Sequence, residues 1–256
     1  MKFTRWLLLF VSLMALGPLI YLVQGDINMG QDWRTASRAS AEIAQQPDQV
    51  SEALVQVYAA RAFNWRGVFG VHTWIATKLE KADHYIVHQV IGWRAWQGAK
   101  VVVSEREIPD RLWYGQRPEL IFELRGDAAQ AVIPKIYQAV EVYPYPLDYV
   151  LWPGPNSNTF TAHVARAVPE LNVDLPPTAI GKDYLPAGLW ARAPSGTGYQ
   201  LSLFGLLGVL AARTEGVELN LLGLSFGVDP FGPAIKLPGL GRVGFDLGGS
   251  AKASGS

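Results

Sequence analysis

Ser157, His72 and His88 are the side chains whose types and spacing could carry group-transfer chemistry. Ser157 lies in the stretch Pro153-Gly154-Pro155-Asn156-Ser157-Asn158-Thr159-Phe160. Its left half forbids a helix, while Phe160, Val164 and Val168, at i, i+4 and i+8, call for one. A helix therefore starts between Asn156 and Asn158 and stops at Pro169. A hydroxyl or carboxamide at such a start meets unpaired backbone N–H groups and the positive end of the helix dipole. Those groups either hold a cap or stabilise a developing negative charge, and Asn and Ser are also the preferred N-cap residues. His72 sits in the middle of an alternating strand, and His88 lies on the strand that returns after the turn Glu80-Lys81-Ala82-Asp83. With the turn centred near Glu80, the two imidazoles face each other on one side of the sheet; a one-residue shift would put Gln89 in play on the opposite face. In this reading Ser157 is the nucleophile, His72 the general base and His88 the orienting group. The helix-start N–H groups would form an oxyanion hole. Asn156 and Asn158 either bind a substrate carbonyl or cap the helix. Trp74 and Trp152 belong either to an aromatic wall for a glycan or acyl chain or to the packed core.

The elements that must position these groups follow from periodicity. Strands are expected at 54–60, 67–78 and 84–93, then at 101–103 and 120–124. A helix capped by Asp127 runs to about Val142, with an irregularity at Pro134. An aromatic loop, 143–152, leads into the Pro-Gly-Pro turn. Residues 169–198 read as an irregular crossing segment. The run 201–212 reads as one buried strand, and 217–228 alternates with a one-residue slip that suggests a bulge. Together these make a C-terminal β-hairpin with one apolar face, covered by the domain in preference to lipid. The expected fold class is α+β: an antiparallel sheet with a helix packed on it, a C-terminal hairpin and an N-terminal membrane helix. The expected division is a membrane anchor or signal segment over 1–25, a tether over 26–52, a single domain over 53–246 and a flexible tail over 247–256.

The chain has 256 residues, 49% of them hydrophobic, which is enough for a sizeable core. Basic and acidic residues are equal at 22 each, so the global positive field of a nucleic-acid binder is absent. The absence of cysteine removes disulfides, Cys-ligated zinc and a thiol nucleophile. Neither a phosphate-cradling loop nor an HExxH pair occurs, and no cofactor is expected. Lys2 and Arg5 precede an uncharged apolar run over 6–23, long enough on paper to span a bilayer; Pro18 after Ala15-Leu16-Gly17 disfavours cleavage there. Asp26 and Asp32 are the first charges after it. The positive-inside pattern then predicts a single-pass inner-membrane protein with its domain on the periplasmic side. The expected partners are the inner membrane and a lipid or peptidoglycan ligand, with no nucleic acid.

Two resemblances accompany these readings. The segments 31–62, Val71-His72-Thr73-Trp74-Ile75-Ala76, 152–160, Glu218-Leu219-Asn220-Leu221-Leu222-Gly223-Leu224 and Lys236-Leu237-Pro238-Gly239 resemble a bacterial family known only as domain-of-unknown-function family 3750. That family carries no established activity. More distantly, the order of a histidine strand, a second histidine and an Asn-nucleophile pair opening a helix resembles the circularly permuted papain-like fold. That fold includes the lecithin:retinol acyltransferase group and NlpC-type peptidases. The resemblance maps onto His72, Trp74, His88 and Asn156-Ser157, with serine where that fold has cysteine. It implies either a serine-dependent hydrolase or acyltransferase in the cell envelope, or a non-catalytic binding or scaffold protein that keeps the cleft.

Overall fold

A computed structural model describes residues 2–24, 30 and 32–244, with the side chains of the first helix described at 4, 5, 12 and 15–23. The tail over 247–256 and part of the tether lie outside the described residues. The chain is α+β, with two antiparallel sheets. The N-terminal half supplies helix α1 (Lys2–Gln24), then strands β1 (Leu54–Arg61), β2 (Val71–Lys78), β3 (Ile86–Val90), β4 (Val102–Arg106) and β5 (Glu119–Arg125). Helices α2 (Gly126–Glu141) and α3 (Ser157–Ala167) follow. The C-terminal part is all strand: β6 (Trp190–Arg192), β7 (Gly198–Leu203), β8 (Leu207–Ala212), β9 (Gly216–Leu221), β10 (Leu224–Asp229), β11 (Ala234–Leu237) and β12 (Gly241–Gly244).

The first sheet has the order β4-β3-β2-β1-β5. Its strands β1 and β2 are buried on both faces along almost their whole length. On one face α2 and α3 seal the main core, with Val57 and Ile75 from the sheet against Ile133, Ile136, Phe160 and Val164 from the helices. On the other face Tyr58, Trp74, Trp113 and Tyr114 form a second, aromatic cluster. The segment after α1 closes over that cluster: Ala36 and Ala41 are buried, and the Asp110 carboxylate accepts from Ser40 Oγ and the Ile43 and Ala44 N–H groups. Helix α2 continues through Pro134 without a break. Its N-cap, Arg125, makes no side-chain cap bond, and Gly126 supplies the positive φ at the bend from β5.

Four expectations are corrected. The membrane helix is not supported: among the described residues no helix is long and apolar enough to cross a membrane. The C-terminal half of α1 instead packs on the domain. Gly17 lies so close to the Pro238–Leu240 turn that an added Cβ would sit 2.2 Å from the Pro238 carbonyl oxygen, and the Tyr21 ring lies 3.6 Å from the Arg61 guanidinium carbon. The C-terminal hairpin is a seven-stranded meander, in the order β12-β11-β10-β9-β8-β7-β6. The single strand expected over 201–212 is two strands joined by Phe204-Gly205-Leu206, and the expected bulge near Leu222 is a tight turn between β9 and β10.

This second sheet is also inverted relative to expectation, because its covered face is the polar one. Gln200, Ser202, Glu218, Asn220, Ser225 and Lys236 are buried, while Leu201, Leu207, Val209, Val217, Val228 and Ile235 are exposed. The buried side closes on the 172–186 segment through charge. The Lys182 and Lys236 ammonium groups lie 2.5 and 2.6 Å from the two Glu218 oxygens, and Lys236 also lies 2.6 Å from Asp174. Burial alone would raise the Glu218 pKa, but the two ammonium groups hold it below its ordinary value.

Candidate functional site

The start of α3 is built by Asn156. Its backbone is extended, and its Oδ1 accepts from the Asn158 and Thr159 N–H groups at 3.0 and 3.2 Å. Thr159 Oγ1 accepts from the Asn156 N–H in return, which completes a capping box. The other end of the Asn156 carboxamide donates to the carbonyls of Leu151 and Ile180. Asn158 donates to the carbonyls of Val71 and Ile180 and accepts from Thr73 Oγ1 at 3.0 Å. Gly181 completes the pin: its φ of +99° is open to glycine, and an added Cβ would lie 2.4 Å from Asn156 Nδ2. Both carboxamides are thus committed to tying a helix to β2 and to the 178–182 loop, and neither is left to hold a substrate carbonyl. Ser157 is a buried residue whose hydroxyl makes no hydrogen bond among the described residues.

The histidines do not meet. His88 pairs with Ile75, three residues along from His72. An odd slip moves a side chain to the other face. Thr73, which bonds Asn158 and Thr161, is therefore the β2 residue that faces α3. His72 points to the opposite side, stacked on Trp113 with ring centroids 3.6 Å apart and its Nε2 3.3 Å from Gln89 Oε1. Burial lowers its pKa to about 3. His88 lies on the helix side, with its Nε2 3.1 Å from Thr77 Oγ1 and its Nδ1 2.8 Å from Ser104 Oγ. The Tyr137 ring closes against it at 4.9 Å, and burial lowers its pKa to about 4. The expected arrangement of Ser157, His72 and His88 is therefore not assembled. The general base is on the wrong face, and both nitrogens of the orienting imidazole already have partners. Trp74 is sealed in the aromatic cluster, its indole N–H on the Pro109 carbonyl at 2.7 Å. Trp152 is half exposed and donates to the Leu222 carbonyl at 2.9 Å, so the two tryptophans line no common wall.

A family model described as Protein of unknown function (DUF3750) matches residues 52–184, just over half of the chain. The chain belongs to this family. No curated protein and no solved structure matches the chain, so the papain-like resemblance gains no support from either comparison. The DUF3750 match spans the first sheet, α2, α3 and the buried Lys182 and Asp183, and it ends before the seven-stranded meander begins.

Lined mainly by the DUF3750 region and completed by residues 185–191 beyond it is a cavity of about 130 Å³ that the sequence did not single out. Tyr143, Tyr145, His163, Arg166 and Tyr184 are among its lining residues. Tyr143 is 4% exposed, and its hydroxyl has no hydrogen-bond partner. Arg166 donates through Nε to the Arg192 carbonyl and through Nη2 to the Lys182 carbonyl and Gln200 Oε1. Its Nη1 makes no hydrogen bond among the described residues. Burial lowers the Arg166 pKa to about 10, against the pull of Asp183 and Glu215. His163 Nε2 lies 3.1 Å from the Ala139 carbonyl, so the ring N–H is spent there and Nδ1 remains an acceptor. The legible clue was the spacing of Tyr143 and Tyr145 just before the turn. Arg166 gave no clue, because it falls on the expected polar side of an amphipathic helix.

Proposed function

We propose that this protein works by holding a ligand and not by turning one over, and that its ligand is a small carboxylate. The observation that carries the reading is that Tyr143, whose buried hydroxyl has no partner, and Arg166 line one partly open cavity. An unmade hydrogen bond at a buried phenol costs about 1–3 kcal/mol, and a bound oxygen would recover it. The free edge of the guanidinium favours an anion there, and the aromatic walls suit a short alkyl chain. At about 130 Å³ the space is close to the ~150 Å³ engineered cavity that binds benzene, which sets the ligand at a handful of heavy atoms. The separation of Ser157 from His72 supports the non-catalytic half of the proposal. The proposal includes an envelope setting, for which the support is Lys2 and Arg5 ahead of an apolar start.

The test is an NMR titration with acetate, propionate and isobutyrate, read at the ring signals of Tyr143 and His163. Saturable shifts in the wild type, lost in Tyr143→Phe, are expected. Absence of saturation, or equal binding by the variant, would sink the ligand assignment. Labelling by a fluorophosphonate that disappears in Ser157→Ala would overturn the non-catalytic reading.

A further inference from the structure

The outer face of the second sheet is apolar from β7 to β12, with Arg192 at its β6 edge. Cross-strand pairing aligns Tyr199, Ala211, Val217, Val228, Ile235 and Val243 in one row. A second row joins Trp190, Leu201, Val209, Leu219 and Phe226, and a third joins Leu203, Leu207, Leu221 and Leu224. Strand spacing and rise make this plaque roughly 30 by 20 Å, or about 600 Å², at the upper limit for the largest apolar patch of an ordinary monomer.

The hairpin tips indicate what does. Phe204 opens the three-residue loop between β7 and β8, and Leu222 the two-residue turn between β9 and β10, at φ of +53° and +55°, each followed by a glycine at positive φ. Such turns favour Asn, Asp or Gly, and a bulky residue there carries backbone strain. Yet both side chains are 65% exposed. An apolar residue that is strained and also left in water gains nothing from either circumstance. In a meander, the turns β7–β8, β9–β10 and β11–β12 all fall at the same end of the sheet. The third of these is the Pro238–Leu240 turn on which α1 docks, leaving Leu16, Leu19 and Leu22 outward. Trp152, bonded to Leu222, stands at that end as well.

We infer that the meander seats its outer face and these tips on a lipid bilayer surface, with Phe204 and Leu222 entering the acyl boundary. A protein partner across about 600 Å² would ordinarily supply roughly three to six hydrogen bonds spread over the contact, whereas the polar groups of the three rows, the Tyr199 hydroxyl, the Trp190 indole N–H and the Arg192 guanidinium, are all gathered at the β6–β7 edge. A second copy laid face to face would cover the rows but would leave the tips beyond the contact in water. The edge stack of Trp190 on Tyr199, with centroids 5.1 Å apart, suits the headgroup level, where such amphipathic rings collect. This seating requires no helix to cross the membrane.

The experiment is co-sedimentation of the full chain with phosphatidylcholine vesicles, with and without phosphatidylglycerol. The wild type is compared with the double variant Phe204→Asn, Leu222→Asn. Asparagine tolerates the left-handed backbone, so the variant should keep or raise its Tm. Its vesicle affinity should fall at least about tenfold for the loss of two inserted side chains. Because α1 is present in both proteins, equal binding would assign the membrane contact to the helix and overturn the inference. A wild type that ignores vesicles and sediments as a dimer, made monomeric by Val209→Lys, would overturn it in favour of a second copy.

Discussion

The two buried histidines make stability fall steeply in acid. In the unfolded chain each imidazole titrates near its ordinary value of about 6.5. In the fold, burial holds His72 neutral down to about 3 and His88 down to about 4. Below pH 6.5 the unfolded state therefore binds two protons that the native state refuses, and each refusal removes about 1.4 kcal/mol of stability per pH unit. Both histidines contribute nothing above pH 7. At pH 4.5 each has cost about 2–3 kcal/mol, with the loss levelling off only as pH falls through the folded values. The assay is urea unfolding from pH 7.5 to 4.5 for the wild type, His72→Gln and His88→Asn. Each substitution will lower stability at pH 7.5 by disturbing its hydrogen bonds, so the quantity to read is the change in the difference with pH. The buried carboxylates, among them Asp174 and Asp183, whose pKa values burial raises, and Glu218, which its ammonium partners hold down, are common to all three proteins and cancel. The gap between wild type and each variant should shrink by about 2–3 kcal/mol on going to pH 4.5. A gap that stays constant would mean that the imidazoles protonate inside the fold and would refute the sealed geometry.

Asn156→Ala removes the cap of α3 and its two ties to the Leu151 and Ile180 carbonyls, and it should lower stability by about 2–4 kcal/mol in urea unfolding. Glu218→Gln leaves Lys182 without its ion-pair partner and Lys236 with Asp174 alone. It should cost about 3–5 kcal/mol and lower Tm. Replacing Lys182, Glu218 and Lys236 together by Met, Leu and Met should recover most of that loss, because the penalty comes from unpaired buried charge and not from the absence of the network.

Local chemistry determined the helix that opens at Ser157, since Pro153-Gly154-Pro155 cannot be helical and Asn156 is a strong cap. It also determined the alternating strands β1, β2 and β3, the helix after Gly126, and the membership in DUF3750 that those segments carry. What it could not determine was parity. A hairpin slipped by an odd number of residues satisfies the same propensities, and only the packing of α2 and α3 on one face and the Trp113 cluster on the other selects the pairing of Ile75 with His88. That choice separates His72 from Ser157. The same limit applied to the meander, where alternation divides each strand into two faces without saying which is covered. There the decision came from the burial of Lys182 and Lys236 around Glu218, a set of charges brought together from three distant stretches of chain. Periodicity is a property of neighbours along the backbone, whereas the partner of a face or a buried charge is set by contacts that exist only once the chain has closed.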